Sequence, residues 1–239
     1  IQVLWLSLDP YMRGRMRVAE SYAPYVELGE VVVGGAVGRV IQSRTPSFAV
    51  GDIVEGSLGW QKYAISDGHG LRKVDQQLEH LSTAVGVLGM PGLTAYFGFL
   101  DIGNPKPGDV VFVSAASGAV GQIVGQIAKI VGCQVIGTAG SNEKVDFIVR
   151  ELGFDAGINY KTEDLKARIT TLCPRGIDVY FDNVGGETSD VVMNNLADFA
   201  RIIICGQISQ YNLADPEMGP RNIGLLITHR ARMEGFLVT

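Results

Sequence analysis

The sequence contains three cysteines in 239 residues, and no two of them form a C-x-x-C pair. Cys133, Cys173 and Cys205 are widely spaced and odd in number, which argues against a disulfide framework. This pattern favours reduced, buried thiols and therefore predicts a cytoplasmic protein.

Long hydrophobic runs and an excess of basic residues are also absent. No apolar run reaches the roughly 18 residues that a membrane span needs. Residues 1–8 lack the basic segment and the long apolar core of a signal peptide. With 20 Lys and Arg against 25 Asp and Glu, the net charge is −5, and the sequence has no basic stripe. We therefore expect neither a membrane nor a nucleic acid as a partner.

Both ends of the sequence resemble interrupted strands. Residues 1–6, Ile-Gln-Val-Leu-Trp-Leu, begin without a start methionine, and residues 233–238 end without a cap or a tail. We therefore expect a fragment of a longer protein.

Glycine, in contrast, is abundant, with 31 residues among 239, which is well above its average share of about 7%. The glycines are scattered through apolar runs. This distribution predicts many tight turns and close backbone approaches, as in nucleotide-binding α/β proteins.

The hydrophobic pattern changes near residue 87. Before it, short strands are expected within residues 30–41, 48–56 and 60–66, without helices between them, which favours a small barrel or antiparallel sheet. After it, apolar strands alternate with helical periods, as in a parallel sheet with crossover helices. We therefore expect a first domain of short strands at residues 1–87 and a dinucleotide-binding α/β domain at residues 88–239.

Six strands and five helices are predicted in the second part. The predicted strands are residues 110–115, 134–138, 156–159, 177–182, 201–206 and 233–239. The predicted helices are residues 120–131, 142–152, 163–172, 187–196 and 221–229. Six strands with helices between them are the complement of a full dinucleotide fold.

A run of small residues follows the first of these strands. Residues 116–121 are Ala-Ser-Gly-Ala-Val-Gly, and Gly125 lies on the first turns of the next predicted helix. Small residues let the backbone approach a pyrophosphate, whose charge then lies at the helix N-terminus. The literal G-x-G-x-x-G motif is absent, so simple helix–strand packing is the alternative. The surrounding βα elements favour a dinucleotide loop.

The end of the second strand lacks the carboxylate that an NAD site needs. Such sites place an acidic residue about 20 positions after the loop, where it binds the ribose 2′-hydroxyl. Residues 137–141 are Gly-Thr-Ala-Gly-Ser, and Lys144 follows one helical turn later. Lys144 suits a 2′-phosphate, and its alternative is a solvated helix lysine. The missing acid favours NADP(H) over NAD(H).

Seven motifs carry a resemblance that covers essentially the whole chain. They are residues 6–13 (LSLDPYMR), 89–96 (GMPGLTAY), 114–121 (SAASGAVG), 139–141 (AGS) with Lys144, 159–161 (NYK), 181–186 (FDNVGG) and 205–212 (CGQISQYN). In this order they resemble the prostaglandin reductase / leukotriene B4 dehydrogenase branch of the medium-chain dehydrogenase/reductases. Plant alkenal double-bond reductases and bacterial curcumin-reductase-like enzymes belong to the same branch.

The resemblance implies a fold, a cofactor and an oligomeric state. The fold is a Rossmann doubly wound parallel sheet with a partial GroES-like β-barrel substrate domain. The cofactor is NADP(H), and the oligomer is a homodimer. The implied activity is the reduction of the carbon–carbon double bond of enones and enals without zinc.

The resemblance also implies the roles of single residues. The pyrophosphate is expected at Gly118, Ala119, Val120 and Gly121. The 2′-phosphate is expected at Lys144 and Tyr160. Further cofactor contacts are expected from Pro10, Tyr11, Asn183, Cys205, Gly206, Ser209, Tyr211, Phe236, Leu237 and Val238. Cys205 and Phe236 have the alternative of being core residues.

Tyr211 and Tyr11 are the expected catalytic residues, and Trp60 is expected to contact the substrate with them. Tyr211 follows Gln210 in a polar loop after a strand's carboxyl end, where such folds place ligands. When hydride adds to the β-carbon of a conjugated carbonyl, charge develops on the oxygen, and the Tyr211 hydroxyl is the expected donor to it. The alternative for Trp60 is a place in the barrel core.

No metal site is expected. Zinc alcohol dehydrogenases hold their metal with Cys and His ligands. All three cysteines fall in the expected cofactor region, and neither His69 nor His80 belongs to a ligand-spaced cluster. The sequence therefore predicts a zinc-independent enzyme.

Two other functions stay open. A quinone reductase of the same superfamily shares the fold, NADPH and the absence of zinc, but residues 9–13 and 210–212 favour the enone branch. A non-catalytic NADPH-binding protein would bind the cofactor without turnover, and the presence of Tyr211 argues against it.

Overall fold

The computed structural model describes residues 1–18, 21–215 and 217–238, and the chain divides into two compact units, Ile1–Pro91 and Gly92–Thr239. In the described part of the chain, no helix is both long enough and apolar enough to cross a membrane.

The first unit contains a four-stranded antiparallel sheet with the strand order β1-β2-β3-β4. Its strands are β1 Gln2–Leu6, β2 Ala36–Arg39, β3 Ile53–Gly56 and β4 Arg72–Lys73. A short helix, α1 Met12–Arg15, and a 3-10 helix, Leu81–Val85, complete the regular structure. The predicted antiparallel sheet is confirmed, and its closure into a barrel stays a prediction.

The strand predicted at residues 60–66 is wrong. Only an isolated bridge joins Tyr63 to Gln2 there. The backbone turns at the start of the predicted strand: Gly59 has φ +72°, and the Gln61 N–H donates to the Gly59 carbonyl at 3.0 Å. The Trp60 N–H donates to Val32, so the segment changes partners within a few residues and cannot extend one ladder.

The second unit is built on a six-stranded parallel sheet with the order β10-β9-β8-β5-β6-β7. The strands are β5 Val110–Val113, β6 Gln134–Ala139, β7 Ala156–Asn159, β8 Ile177–Asp182, β9 Leu196–Ile204 and β10 Arg232–Gly235. Helix α2, Met90–Phe97, begins at the end of the first unit and continues into the second. The other helices are α3 Ala119–Val131, α4 Asn142–Arg150, α5 Leu165–Leu172, α6 Gly186–Met193 and α7 Leu225–Thr228. A π-helical turn, Gly98–Ile102, follows α2, and a 3-10 helix, Asn222–Gly224, precedes α7.

The predicted doubly wound sheet is confirmed, with six strands where six were expected, but some boundaries differ. The helix predicted at residues 187–196 ends at Met193. The side chains of Asn194 and Asn195 bond back to carbonyls of the last helical turn, which ends the helix, and β9 then begins at Leu196. The helix predicted at residues 221–229 is divided into two short pieces, β10 ends at Gly235, and α2 was not predicted.

Both faces of the parallel sheet are covered. Along β5, Val111 and Val113 belong to one buried cluster, whereas Val110 and Phe112 belong to the other. This alternation has the two-residue period of a strand, and burial on both sides explains why the strand is a continuous apolar run.

The strand order places a switch point between β5 and β8. From β5 the chain passes to β6 and β7 on one side, and it then returns to β8, β9 and β10 on the other. In open α/β sheets, ligands bind in the crevice at the carboxyl ends of the two strands where the direction reverses.

Candidate functional site

The candidate site begins with two polar residues at this switch point. Ser114 directly follows β5, and Asn183 directly follows β8. The Asn183 side-chain amide donates to the Ser114 carbonyl at 2.8 Å, and the Asn183 backbone N–H donates to Ser114 Oγ at 2.8 Å. These two bonds hold Asn183, an expected cofactor residue, at the crevice.

The buried side chain of Asp182 accepts hydrogen bonds from residues around the same crevice. Its side chain is 1% exposed, and a carboxylate in that position is stable because several donors surround it. Its donors are Ser114 Oγ at 3.0 Å, Tyr180 Oη at 2.7 Å, the N–H groups of Val184 and Gly185 at 2.9 and 3.0 Å, and Ser189 Oγ. Burial, and then the charge of Asp182, raise the pKa of Tyr180 well above its usual value, so its hydroxyl stays protonated as a donor. Sequence reasoning missed this role, although Asp182 lies within the motif at residues 181–186.

The glycine-rich turn leads from β5 into α3. Gly118 is the N-cap of α3 with an extended backbone, and among the described residues no side chain caps the helix. A Cβ atom at Gly121 would clash with the Ala115 carbonyl oxygen and lie 2.9 Å from the Cα of Ala116. The turn therefore requires glycine at position 121 and leaves first-turn N–H groups available to an anion. These features fit the pyrophosphate of a dinucleotide.

The expected 2′-phosphate residues lie around the end of β6. Ser141 caps α4, because its side-chain oxygen accepts a hydrogen bond from the Lys144 N–H at 3.4 Å. A Cβ atom at Gly140 would lie 3.1 Å from Tyr160 Oη and 3.3 Å from Lys161 Cε. Tyr160 and Lys161 therefore lie against the segment that carries Ser141 and Lys144.

Glu143 lies on the first turn of α4, and it is not among the site residues predicted from the sequence. Hydrogen bonds from its own backbone N–H and from the Ser141 hydroxyl lower the pKa of its carboxyl group. The first turn of α4 therefore carries an ionised carboxylate as well as Lys144.

Tyr211 lies in the loop that follows β9. Its hydroxyl oxygen accepts a hydrogen bond from the Gln207 N–H at 3.2 Å, and a Cβ atom at Gly206 would lie 3.0 Å from it. Because the hydroxyl is the acceptor here, its own proton is available for a bond to another oxygen.

Ser209 connects the loop after β9 to the loop after β8. Its hydroxyl donates to the Val184 carbonyl at 2.7 Å, and its backbone N–H donates to the same oxygen at 3.1 Å. The loop that carries Tyr211 is thus fixed to the segment that follows Asn183.

Cys205 and Phe236 lie at the margin of the buried core. The Cys205 N–H donates to the Asp182 carbonyl at 2.9 Å, and burial, with the nearby Asp182 charge, raises the pKa of its thiol to about 12. Phe236 packs edge to face on Phe181, with ring centroids 6.5 Å apart, and its ring covers Gly98. Both residues therefore have core contacts, as the alternative interpretation held. Leu237, next to Phe236, is 58% exposed.

Pro10, Tyr11 and Trp60 belong to the first unit. Pro10 is exposed, and Tyr11 is a half-buried residue at the start of α1. Burial, and then the negative charge of Asp9, raise the pKa of Tyr11. Trp60 is 40% exposed, so the alternative of a buried barrel-core residue is wrong. The roles of these residues toward cofactor and substrate stay predictions.

Potential metal ligands are dispersed. Within residues 1–18, 21–215 and 217–238, no three His, Cys, Asp or Glu side chains form a group that could hold a metal ion.

Comparison with known proteins identifies the family. Residues 1–74 match the family model for the N-terminal domain of oxidoreductases, and residues 119–239 match the one for zinc-binding dehydrogenases. The chain is 51% identical over 241 residues to the NADP(+)-dependent 2-alkenal reductase of Nicotiana tabacum, and the match covers 100% of this chain and 70% of that protein. It is 49% identical over 243 residues to prostaglandin reductase 1 of Rattus norvegicus, with 100% and 71% covered.

A solved structure agrees with these relatives. The crystal structure of CurA from Vibrio vulnificus in complex with NADPH matches with a TM-score of 0.94 at 49% identity, covering 99% of this chain and 71% of that one. The sequence likeness and the shared fold lead to one assignment. The chain belongs to the medium-chain dehydrogenase/reductase family, in the branch that contains the prostaglandin and 2-alkenal reductases.

Proposed function

We propose that this protein is an NADPH-dependent reductase of the carbon–carbon double bond of α,β-unsaturated aldehydes and ketones. The observation that carries the proposal is the Tyr211 hydroxyl, which accepts from the Gln207 N–H and so keeps its own proton for a substrate oxygen. The names of the tobacco and rat relatives, a 2-alkenal reductase and a prostaglandin reductase, support this substrate class.

The residues of the second unit fit NADP(H). The open N-terminus of α3 and the glycine at position 121 suit the pyrophosphate, which Gly118, Ala119, Val120 and Gly121 would bind. Lys144 and Tyr160 would bind the 2′-phosphate. The remaining contacts would come from Asn183, Cys205, Gly206, Ser209, Tyr211, Phe236, Leu237 and Val238. When bound, NADPH supplies the hydride that adds to the β-carbon.

Tyr211 stabilises the charge that this addition produces. As the β-carbon gains the hydride, the π electrons move toward the carbonyl group. The product is an enolate, whose negative charge lies largely on the oxygen. A hydrogen bond from Tyr211 to that oxygen is stronger in the transition state than in the ground state, so it lowers the barrier. A proton from solvent then adds to the α-carbon, which completes the saturated carbonyl compound. Tyr11 is the second catalytic candidate, and Trp60 is proposed to contact the substrate.

Zinc is not part of this proposal. A conjugated double bond accepts hydride at carbon without a metal on the carbonyl oxygen, provided that a hydrogen-bond donor stabilises the enolate. Among the described residues, Cys133, Cys173 and Cys205 belong to no group of three His, Cys, Asp or Glu side chains that could hold a metal ion. We also propose a cytoplasmic location, because the three widely spaced cysteines favour reduced thiols.

A homodimer is also proposed. Strand β10 lies at the edge of the parallel sheet, and all four of its residues are exposed. Nearby in the chain, Ile223 and Ile227 are 75% and 82% exposed. An open strand edge beside apolar side chains can pair with the same edge of a second copy.

The activity is tested by following NADPH oxidation by the whole protein with three acceptors: a medium-chain 2-alkenal, the matching saturated aldehyde and a quinone. We expect rapid oxidation with the 2-alkenal alone and the saturated aldehyde as its product. Turnover of the quinone alone would assign the protein to the quinone reductases. Binding of NADPH without turnover of any acceptor would support the non-catalytic alternative.

A further inference from the structure

Lys161 lies closer to the proposed 2′-phosphate site than its position in the sequence suggests. It ends the motif at residues 159–161, and it follows β7, whereas Lys144 lies on α4. The Cε atom of Lys161 would be 3.3 Å from a Cβ atom at Gly140, next to Tyr160 Oη at 3.1 Å. Its aliphatic stem therefore packs against the end of β6, together with the tyrosine that was expected to bind the phosphate.

Asn159 fixes the backbone that carries Tyr160 and Lys161. It is 4% exposed, and its side-chain amide donates to Asn142 Oδ1 at 2.7 Å. Its side-chain oxygen accepts from the Lys161 N–H at 3.2 Å. Since Asn142 is the first residue of α4, this pair of bonds joins the segment after β7 to the helix turn that bears Lys144.

The ammonium groups of both lysines are available. Among the described residues, no carboxylate forms an ion pair with Lys144 or Lys161, whereas Glu163, the acidic residue nearest to Lys161 in the chain, pairs with Arg168 at 2.8 Å. Glu143 is the acidic side chain on the first turn of α4. With Lys144 alone, the formal charges of Glu143 and the lysine would sum to zero.

We infer that Lys161 is a specificity residue that, with Lys144 and Tyr160, distinguishes NADP(H) from NAD(H). The inference rests on the proposed function for its cofactor. A second lysine leaves the region with a net positive charge despite Glu143, and a 2′-phosphate carries about 1.5 to 2 negative charges at neutral pH. A hydrogen bond between an ammonium and a phosphate is one of the stronger kinds in proteins, and here it exists only for the phosphorylated cofactor.

The test compares Lys161→Met with the unchanged protein in direct binding measurements. Methionine keeps an unbranched apolar stem against Gly140 and removes the charge. The probes are 2′,5′-ADP and 5′-AMP in calorimetry, followed by NADPH and NADH in fluorescence titration. We expect Lys161→Met to weaken the binding of 2′,5′-ADP and NADPH about tenfold and that of 5′-AMP and NADH less than twofold.

Two further variants serve as controls. Lys166→Met removes an exposed lysine from α5 in the same unit, and it should leave all four affinities unchanged. Lys161→Arg restores a positive charge and should recover most of the lost affinity for 2′,5′-ADP.

Each other outcome overturns a defined statement. Equal losses for 2′,5′-ADP and 5′-AMP would mean that the substitution damages the fold, and unchanged affinities would mean that Lys161 is a solvated lysine; either result overturns the inference. If the unchanged protein bound 2′,5′-ADP no better than 5′-AMP, the assignment of NADP(H) itself would fail. None of these measurements depends on the turnover of an enone.

Discussion

The hydroxyl of Ser114 donates a hydrogen bond to the buried carboxylate of Asp182 at 3.0 Å, across the two strands at which the sheet changes direction. The same Ser114 oxygen accepts from the Asn183 N–H at 2.8 Å. One side chain thus connects the end of β5 to the end of β8 and to the residue expected at the cofactor. The shape of the crevice therefore depends on this contact.

Ser114→Ala should destabilise the protein by about 1–3 kcal/mol, because it leaves the Asn183 N–H without its acceptor and removes one donor from a buried carboxylate. The free energy of unfolding is measured by urea denaturation of the whole protein. Ser117→Ala is the matched control, since no hydrogen bond of the Ser117 side chain is found among the described residues. Equal stability of the two variants would contradict the role given to Ser114.

Gly121→Ala should lower stability by about 1–3 kcal/mol and weaken NADPH binding, because the new Cβ atom would clash with backbone at Ala115 and Ala116. Backbone cannot move aside as the end of a side chain can. The control is Gly224→Ala, where φ is −62° and no heavy atom would lie within 4 Å of the added Cβ atom. If Gly121→Ala bound NADPH with unchanged affinity, the turn would not be the pyrophosphate site.

The parallel sheet could be predicted from the sequence because its central strands, such as β5, are buried on both faces. Residues 110–113, Val-Val-Phe-Val, have no polar face, and helices α3 and α4 have a clear amphipathic period. The segment at residues 60–66 gave a wrong prediction because its large apolar side chains are not buried: Trp60 and Tyr63 are 40% and 60% exposed. Tertiary contacts, which a single sequence does not reveal, decide such segments.

The candidate site could be predicted in part. Glycine turns and a missing acid are local signals, so the expected positions of Gly121 and Lys144 follow from the sequence alone. The contacts of Asp182 with Ser114 and of Asn159 with Asn142 join residues that are 68 and 17 positions apart. Such pairs depend on the strand order, and no local pattern indicates them.

The thiols should react slowly with iodoacetamide in the folded protein. Burial raises the pKa of Cys205 to about 12, and that of Cys133 and Cys173 to about 11, from an ordinary value of about 8.5. At pH 8 the Cys205 thiol would therefore stay protonated, and the thiolate is the nucleophile. Mass spectrometry should therefore find little alkylation in buffer and rapid alkylation of all three thiols in urea.

The same pKa values predict a loss of stability in alkaline solution. Above about pH 8.5 the unfolded chain releases thiol protons that the folded protein retains, so the free energy of unfolding should fall as the pH rises toward the raised values. In the alkylation experiment, rapid modification of one thiol at pH 8 without denaturant would contradict the burial described for these residues.

Tyr211→Phe should lower the turnover number with a 2-alkenal about 100-fold, because the enolate oxygen loses its donor. The hydroxyl also accepts from the Gln207 N–H, so the affinity for NADPH and the unfolding temperature must be measured with it. We expect both to change little. Tyr63→Phe removes the hydroxyl of a 60% exposed tyrosine and should have no effect on turnover. Full turnover in Tyr211→Phe would remove Tyr211 from the mechanism.

The position that receives the hydride tests the central claim most directly. The whole protein is incubated with a 2-alkenal and NADPH carrying deuterium at the transferable position, and the product is analysed by NMR. We predict a saturated aldehyde with deuterium on the β-carbon and a solvent-derived hydrogen on the α-carbon. Deuterium on the carbonyl carbon, in an unsaturated alcohol, would contradict the account, because the enzyme would then reduce the carbonyl group rather than the double bond.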